Sequence, residues 1–425
     1  MTIALKVGFA ETDITPPVGT HKIGWKRDIV SDRVLDPLFA RAAVLECAGE
    51  KVAFIQLDTL CIRWIQVSDI RQRIAQMYAF PDQNIVVAAT HNHAGPAVAN
   101  AGDVKRDDTY IQSFMTKVVF MFGQALTSMQ EAEIGFGNCF EFDVAYNRRV
   151  VMRDGTVQTH GRFTSPGALC QEGPIDPEVA VMVARTKGGK LLGAIVNFTC
   201  HPTHHGGETS LSAGFPGILA RQMKSWGCLA TLYLNGASGN IACIDPRRPD
   251  LRKSKEEIGA ILANDVSGVL AKLEYRTQAK LGSKSKTIQL PFREITEDEI
   301  KGTTKGAQRF IDPAIYDREI PRQVERIRRM GTQPAEVQVI FVDEYAFVAI
   351  PAEYFVEHGL YIKEKSYPRH ALIVGYANGM VGYVPHREAF LRGGYETTFC
   401  GSSRLAPEAG DMLADCAIEL IRQGP

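Results

Sequence analysis

Five of the ten histidines in this chain of 425 residues fall in two short motifs, THNHAGP at 90–96 and CHPTHH at 200–205. Alternate residues of a strand share a face, so His91 and His93 can converge on one point if the preceding strand continues through the first motif. Neutral imidazole is a common metal ligand, and two imidazoles on one face suit zinc. Without a metal, each buried histidine needs a hydrogen-bond partner, so the clustering favours a metal site over packing.

The ligand within the second motif stays open on spacing alone. His201, His204 and His205 all lie close together in the sequence. His201 is nearest to the preceding apolar segment, which makes it the best placed of the three. The first motif taken by itself is equally compatible with two hydrogen-bonded, partly buried histidines.

A carboxylate that follows an apolar segment would complete such a site. Glu353, in the sequence IPAEY at 350–354, would give two histidines and one carboxylate with an open position for water, as catalytic zinc requires. The alternative is structural, because a glutamate after a proline often begins a helix, where the helix dipole favours its charge. Glu353 alone does not decide between the two.

The glycine-rich segment LNGASGN at 234–240 follows another apolar run. Its backbone N–H groups are candidates for binding an oxyanion, and Ser238 is a candidate nucleophile. The segment is not a GxSxG motif, so the sharp turn that exposes a catalytic serine is not indicated. A tight turn without a chemical role is an equal alternative, and Ser238 is the weaker candidate.

Apolar segments of strand length alternate with segments that repeat apolar residues at helical spacing. We predict strands at residues 52–57, 85–89, 192–198, 229–234, 337–342, 346–350 and 372–374. The spacing i, i+3, i+4 predicts helices around residues 67–77, 111–122, 258–270 and 412–420. This alternation predicts an α/β fold, a layered arrangement in which helices flank a mostly buried, mixed sheet.

Polar residues follow the ends of six of the predicted strands. They are Asp58, His91 with His93, His201, Asn235, Glu353, and Asn378 with Tyr383. In open α/β sheets, binding sites form in the crevice at the carboxyl ends of strands. We therefore predict one composite site at these strand ends.

Composition excludes several classes of function. The 48 basic and 48 acidic side chains balance, so the sequence indicates no surface for nucleic acid or anionic membranes. No segment approaches the roughly 18 to 20 consecutive apolar residues of a membrane span. The first residues lack the basic and apolar regions of a secretion signal, and the nine cysteines contain no CxxC pair. We expect a cytoplasmic protein with reduced thiols.

The motifs occur in the order seen in the neutral/alkaline (non-lysosomal) ceramidase family, which the sequence therefore resembles. The matching segments are GFAETDITPP at 8–17, DPLFARA at 36–42, HNHAGP at 91–96, NR at 147–148, HPT at 201–203, NGASGN at 235–240, PAE at 351–353, GYV at 382–384 and YE at 395–396. The resemblance implies one catalytic domain over residues 1–425, with a polar insertion at about 280–330 that is the candidate lid or oligomer surface.

The resemblance also implies the residues of the site. One catalytic zinc ion per chain is expected, held by His91, His201, Glu353 and Tyr383. His93 is implied to lie beside the metal and to contact the substrate or an intermediate.

Other positions are expected to support this centre. Arg148 and Tyr395, which match the family's NR and YE motifs, are implied to lie in the active site and to hold the oxyanion or the polar end of the substrate. Asp58 is predicted from its position to orient a ligand histidine by accepting its second N–H. Further candidates for contacts with the ligands or the substrate are Asn235, Ser238 and His204.

The sequence departs from the family in two respects. The family's serine, in a GDxSPN-like motif, aligns with Ala242, although an alignment with one gap places Ser238 there. The family's secretion signal and C-terminal immunoglobulin-like domain have no counterpart in these 425 residues. Both departures favour a mechanism through water at the metal, and a substrate that is smaller and more polar than ceramide.

We therefore predict a zinc-dependent amidohydrolase that cleaves an N-acyl bond of a small molecule, with His93 transferring a proton. Zinc would lower the pKa of a bound water toward about 7 and polarise the carbonyl group. One alternative is a zinc-dependent lyase, isomerase or other hydrolase that acts on a hydroxylated, sugar-like ligand. Others are a metal- or ligand-binding protein without turnover and a serine esterase that uses Ser238. Iron, manganese, cobalt and nickel also accept these ligands, and a homo-oligomer is expected without a residue that indicates it.

Overall fold

The computed structural model describes residues 4–425. The α-helices in this range are α1 (Trp64–Tyr78), α2 (Asp108–Thr127), α3 (Gly214–Ser225), α4 (Lys255–Leu270), α5 (Glu297–Lys301), α6 (Pro313–Met330), α7 (Val356–Lys365), α8 (Arg387–Arg392) and α9 (Ala409–Gln423). Two short 3-10 helices span Asp82–Asn84 and Tyr395–Thr397.

The strands of the N-terminal half are β1 (Lys6–Asp13), β2 (His21–Ile23), β3 (Ile29–Val30), β4 (Arg33–Val34), β5 (Phe39–Cys47), β6 (Glu50–Leu57), β7 (Ile85–Ala89), β8 (Gly95–Pro96), β9 (Gln130–Glu131), β10 (Glu133–Phe140), β11 (Tyr146–Asn147), β12 (Arg149–Met152), β13 (Val157–Thr159), β14 (Ala168–Gln171), β15 (Glu178–Arg185), β16 (Leu191–Phe198) and β17 (Ser210–Leu211). Those of the C-terminal half are β18 (Ala230–Asn235), β19 (Ile241–Ala242), β20 (Tyr275–Arg276), β21 (Leu281–Pro291), β22 (Thr332–Val342), β23 (Tyr345–Ala349), β24 (Glu353–Tyr354), β25 (His370–Val374) and β26 (Tyr383–Val384).

The N-terminal sheet has the strand order β7-β6-β5-β1-β9 and is buried on both faces. Residues along β6 alternate between these faces. Ala53 and Ile55 pack toward α1 and α2, while Val52 and Phe54 pack on the opposite side. Because both faces are covered, β7 is a continuous apolar run and residues 52–57 of β6 are apolar except for Gln56, which is the pattern that predicted these strands.

Two further sheets pack on the other side of the N-terminal sheet. Their strand orders are β18-β16-β15-β10-β20 and β21-β22-β23-β25. One apolar cluster joins all three sheets and includes Phe54, Ile195 and Phe347. The outer side of the second sheet packs on α3 and α4, and that of the third packs on α7 and α9. The layers are therefore helices, sheet, sheets and helices.

The α/β class predicted from the sequence is confirmed, although the strands form several sheets instead of one. All seven predicted strands and all four predicted helices are present. Strand β5 escaped prediction because a charged residue, Arg41, interrupts its apolar run. Arg41 is buried and bonds the carboxylates of Glu11 and Asp58. Among residues 4–425, no helix combines the length and apolar character that a membrane crossing requires.

The polar segment around residues 280–330 contains β21, α5 and α6. One side of α6 is apolar, and its residues Tyr316, Ile320 and Ile327 pack against Phe399 and Cys400. Much of the rest of the helix is charged and faces solvent or the cavity described below.

Hydrogen bonds join the carboxyl ends of strands from all three large sheets. The Asn235 side chain at the end of β18 donates to the carbonyl of Thr90, which follows β7, at 3.1 Å. After β25, the Gly375 N–H donates to the Asn235 carbonyl at 2.9 Å, and the Tyr376 carbonyl accepts from Ala89 at 3.1 Å. These bonds bring the segments that follow three separate strands to one place.

A buried charge cluster links the second sheet to the third. Glu178 on β15 accepts hydrogen bonds from Asn138 at 2.6 Å, His370 on β25 at 2.7 Å and Lys363 on α7 at 2.8 Å. Burial alone would raise the pKa of Glu178, but the His370 hydrogen bond and the Lys363 charge outweigh it and lower the pKa to about 2. Glu178 therefore stabilises the fold as a carboxylate.

We predict that Glu178→Gln lowers the free energy of unfolding by about 1.5–3 kcal/mol at pH 7, the usual contribution of hydrogen bonds to a charged group. The folded-state pKa is depressed, so this stability is present above the unfolded value near 4.5 and is lost as the pH falls toward about 2. Urea unfolding at pH 7, 5 and 4 should show the difference between wild type and variant shrinking with pH.

The control is Glu131→Gln, because the Glu131 carboxylate forms an exposed ion pair with Lys187. Such pairs contribute little, so this variant should unfold like the wild type at every pH. Equal stability of the two variants at pH 7 would contradict the structural role of Glu178.

Candidate metal centre

His91 follows β7 in an unusual backbone conformation. Its φ angle is 67°, in the left-handed region that non-glycine residues seldom adopt and that recurs at functional sites. The imidazole Nδ1 lies 2.8 Å from the Leu60 carbonyl oxygen. A carbonyl only accepts, so Nδ1 carries the proton and Nε2, on the opposite edge of the ring, presents its lone pair.

His201 follows β16 and is oriented in the same way. Its Nδ1 lies 2.8 Å from the Ser238 carbonyl oxygen, and the imidazole is fully buried. Donation from Nδ1 again leaves an Nε2 lone pair, and this atom is buried without a hydrogen-bond partner. Metal-binding histidines commonly donate their second N–H to a carbonyl in this manner.

The Glu353 carboxylate lies between these two lone pairs. Its Oε2 is 3.4 Å from His91 Nε2 and 3.5 Å from His201 Nε2, and it has no hydrogen-bond donor among residues 4–425. Metal–nitrogen and metal–oxygen bonds of about 2.0–2.2 Å in a tetrahedral site place ligand atoms roughly 3.4 Å apart. The three residues therefore fit a zinc-like cation by both spacing and unsatisfied polar atoms.

The charge states also fit a cation. Burial would raise the pKa of Glu353, but His91 and His201 outweigh it and hold the pKa well below its usual range. Burial, reinforced by His91, lowers the pKa of His201 to about 4. At neutral pH the carboxylate is charged and the imidazole is neutral, and these are the forms that bind metals.

His93 points to the same centre. Its Nε2 lies 3.2 Å from His91 Nε2, and the ligand atoms of His91, His93 and His201 all lie within 4.8 Å of one another. The other ring nitrogen of His93 is buried without a hydrogen-bond partner. Both a ligand role and a proton-transfer role are open to this geometry.

Tyr383 and Glu353 are direct neighbours across the parallel β24–β26 pair. The Tyr383 hydroxyl lies 3.2 Å from Arg148 Nη2. The guanidinium of Arg148 also donates to Glu396 and to the Gly239 carbonyl, both at 2.8 Å. Arg148 is therefore held in one orientation beside the centre.

The centre opens into a cavity of about 570 Å³. Four of the predicted site residues line it together with His91 and Glu353, namely His93, Arg148, Tyr383 and Tyr395. The rings of Tyr383 and Tyr395 meet edge to face with centroids 5.5 Å apart. A small molecule in this cavity can reach the histidines, the arginine and both tyrosines.

Comparisons with known proteins match the fold of the chain and the sequence of its N-terminal half. The sequence model of the family described as neutral/alkaline non-lysosomal ceramidase, N-terminal, matches residues 5–214. Residues 5–214 are thus similar in sequence to the neutral/alkaline ceramidase family. The resemblance predicted from the motifs is thus confirmed.

Individual relatives agree with the family model. The neutral ceramidase of Pseudomonas aeruginosa is 23% identical over 175 residues, which are 39% of this chain and 25% of that protein's length. The crystal structure of neutral ceramidase from Pseudomonas aeruginosa has a TM-score of 0.76 at 19% identity, over 100% of this chain and 76% of that chain. A ceramidase complexed with C2 has a TM-score of 0.77 at 16% identity, over 99% and 75% of the two chains. At these identities the structural likeness establishes the fold alone.

The role predicted for Asp58 is wrong. Its carboxylate accepts from the Phe39 N–H at 2.8 Å, from Gln56 at 2.9 Å and from Arg41 at 3.0 Å. Backbone carbonyls, and not a carboxylate, take the Nδ1 protons of His91 and His201. Asp58 instead satisfies a buried arginine inside the N-terminal sheet.

Asn235 is a positioning residue. Its side-chain amide donates to the Thr90 carbonyl at 3.1 Å, and its side-chain oxygen accepts from the Cys200 N–H at 3.3 Å. Thr90 and Cys200 directly precede His91 and His201 in the sequence. One amide thus sets the separation of the two histidine segments.

Three backbone N–H groups of the glycine-rich turn are not available to an oxyanion, because each already donates a hydrogen bond within the protein. The N–H groups of Gly236, Ser238 and Gly239 donate to the carbonyls of Phe198, Gly236 and Tyr354. The Ser238 hydroxyl lies 2.7 Å from the hydroxyl of Tyr376, whose ring stacks on His91 with centroids 4.0 Å apart. No histidine contacts the Ser238 hydroxyl in the described structure, so no base activates it.

Only His201 of the second histidine motif joins the cluster. His204 Nε2 lies 3.1 Å from the Lys253 carbonyl oxygen, and His205 Nδ1 lies 3.0 Å from the Glu208 carboxylate. Of the three histidines that spacing left open, the structure thus brings His201 to His91 and His93.

Several residues at the site were missed as candidates, among them Tyr376 and Arg149 and the arginines Arg63 and Arg404 that line the cavity. Tyr376 lies in the mainly apolar run LIVGYA at 372–377, so its sequence context did not mark it as a site residue. Arg149 is buried and donates to Glu396 at 2.8 Å, on the carboxylate that also holds Arg148. The sequence signal for Arg149 was its position directly after Arg148, which was a candidate.

We predict about one metal ion per chain in the purified protein, measured by elemental mass spectrometry. His91→Ala and Glu353→Ala should lose it. Changes in residues that merely support ligands cost about 10- to 100-fold in affinity, and loss of a ligand should cost more. His204→Ala and His205→Asn, from the same histidine-rich segment, should keep the metal. Full metal content in His91→Ala would contradict the proposed ligands.

Proposed function

We propose that the protein is a zinc-dependent hydrolase that cleaves the N-acyl amide bond of a small-molecule substrate. The observation that carries the proposal is the convergence of His91, His201 and Glu353 beside the 570 Å³ cavity, which His91 and Glu353 line. His201 Nε2 and Glu353 Oε2 are buried there without a hydrogen-bond partner. The family that residues 5–214 resemble and the ceramidase fold of the whole chain support amide hydrolysis. The reaction adds water across the amide and gives a carboxylate and an amine.

The metal ligands we propose are His91, His201, Glu353 and Tyr383. A zinc ion held by them would polarise the substrate carbonyl and lower the pKa of a water molecule. The chain's own contribution is to hold the imidazoles through the Leu60 and Ser238 carbonyls, so that their lone pairs stay directed at the centre.

His93 is the proposed proton carrier. Its Nε2 lies 3.2 Å from His91 Nε2, within reach of a group at the centre, and its Nδ1 makes no competing hydrogen bond. The imidazole is positioned to accept a proton from the attacking water and to return it to the leaving amine. Burial keeps His93 neutral before the reaction by lowering its pKa well below the usual range.

Arg148 is the proposed partner of the developing oxyanion. The guanidinium is buried, it lines the cavity, and Glu396 and Gly239 fix its orientation. A fixed cation that faces a low-dielectric cavity stabilises negative charge without rearrangement during the reaction. Tyr395 lines the same cavity and is proposed to hold the substrate beside it.

Hydrolysis of N-octanoylethanolamine in water labelled with ¹⁸O should place the label in octanoate, as read by mass spectrometry. Incorporation separates a hydrolase from a lyase or isomerase, which adds no oxygen from water to a new carboxylate. Metal-replete protein that cleaves none of a panel of N-acyl amides would overturn the proposed function.

We predict that His93→Ala keeps its metal but loses roughly 100-fold or more in kcat, the usual contribution of a positioned acid–base group. His205→Asn is the matched control, because asparagine tolerates the left-handed backbone at this position, where φ is 59°. It should turn over like the wild type. Loss of the metal in His93→Ala would instead make His93 a ligand, and unchanged turnover would remove it from the mechanism.

A further inference from the structure

The charges that line the active-site cavity do not balance. Seven lysine and arginine side chains line it, but only two carboxylates, Glu319 and Glu353. Glu353 faces the metal centre. The chain as a whole has a net charge of zero, so this surplus is local.

Three of the seven cations are already paired. Lys26 lies 2.9 Å from the Glu319 carboxylate, and Arg106 lies 2.6 Å from that of Asp108. Arg148 is bound to Glu396, as described above. Both carboxylates that line the cavity are therefore in use.

The other four cations are Arg63, Arg326, Arg329 and Arg404. None of them has a carboxylate within ion-pair distance among residues 4–425. Arg326 and Arg329 lie on the last turns of α6, in the polar segment, while Arg63 precedes α1 and Arg404 precedes α9. The four arginines therefore come from three separate parts of the chain, and what they share is the cavity that all of them line.

Arg404 shows that the surplus extends into the buried part of the cavity. Only 4% of this residue is exposed, yet its guanidinium contacts neutral groups alone, the carbonyl of Gly401 and, at 3.0 Å, the side chain of Gln333. Its Nε is buried without a hydrogen-bond partner. Burial, reinforced by the charge of Arg326, lowers the pKa of Arg404 to about 10.

The remaining arginines repel one another. Burial and then the charges of Arg106 and Arg326 lower the pKa of Arg63, although Asp108 acts in the opposite sense. Burial and then the charge of Arg329 lower the pKa of Arg326. Like charges that are partly removed from water are costly, and a bound anion would offset that cost.

The same cavity also has exposed aromatic surface. Trp64 is 65% exposed and Trp25 is 39% exposed, and both line the cavity. A ligand that covers these rings and also meets the arginines has an apolar part and an anionic part.

We propose that the substrate is an N-acyl amide that carries a carboxylate or another oxyanion, bound by Arg63, Arg326, Arg329 and Arg404 while its amide reaches the histidines. Guanidinium groups pair with planar oxyanions through two parallel hydrogen bonds, which gives direction as well as attraction. The inference rests on the proposed function, since it names the class of amide that the centre would cleave.

Two pairs of amides test the inference and locate the anion. N-Octanoylglycine and N-octanoylethanolamine both release octanoate but differ in a carboxylate on the amine side. N-Octylsuccinamate and N-octylbutanamide both release octylamine but differ in a carboxylate on the acyl side. We expect kcat/KM to favour the charged member of one pair by about tenfold or more, and that pair identifies the side on which the anion lies.

Arg326→Gln and Arg404→Gln should reduce this preference toward unity, because they remove the charge that favours the anionic member of the pair. The matched control is Arg328→Gln, an exposed arginine on the same turns of α6 that does not line the cavity. Arg326 is only half-buried on the helix surface, so Arg326→Gln should fold even if Arg404→Gln does not. The test then rests on Arg326→Gln. Equal kcat/KM for charged and neutral members of both pairs would overturn the inference and leave the proposed function intact.

If none of the four amides is hydrolysed, the proposed function fails for this class, and binding decides the inference separately. The same four amides are then titrated into the wild-type protein by calorimetry. Tighter binding of a charged member, lost in Arg326→Gln and kept in Arg328→Gln, would support the anion site without turnover. Equal binding of charged and neutral members would overturn it.

Discussion

The burial of one carboxylate against two imidazole lone pairs is the interaction on which the site depends. Glu353 Oε2 lies within 3.5 Å of both His91 Nε2 and His201 Nε2. No described residue donates a hydrogen bond to this oxygen. A buried anion without a donor is unfavourable, and so are lone pairs that face it. A metal cation removes both costs, so metal binding and the stability of this region are coupled.

The surrounding backbone is arranged to hold these three side chains. Carbonyl groups of Leu60 and Ser238 orient the imidazoles, and the β24–β26 pairing places Glu353 beside Tyr383. Gly239 permits the close approach, because a side chain there would lie 2.4 Å from the Glu353 carbonyl oxygen. The glycine-rich turn therefore has a structural reason for its composition, and the candidate metal ligand Glu353 comes from a segment that it contacts.

Within residues 4–425, the cationic side chains that line the cavity form two groups, those paired with a carboxylate and those without one. Arg148 is neutralised and oriented by Glu396, a carboxylate that also binds Arg149 and accepts from Thr159 at 2.6 Å. The arginines of α6 and its neighbours lack such partners among the described residues and leave the cavity positive. The polar segment that carries α6 thus contributes directly to the wall of the site, by the same charges that made it conspicuous in the sequence.

The local sequence predicted seven of the strands, four of the helices and the polar residues at strand ends, because apolar periodicity and residue chemistry are properties of neighbours along the chain. The family resemblance then implied which of those polar residues are ligands. His91, His201 and Glu353 were identifiable as polar residues at strand ends. Only the tertiary structure decided which ring edges converge. Asp58 has the right position in the sequence, but Arg41 on the adjacent strand takes its carboxylate, and no local pattern records that contact. Hydrogen-bond partners and unpaired charges depend on residues hundreds of positions apart, so they were fixed only when the sheets packed together.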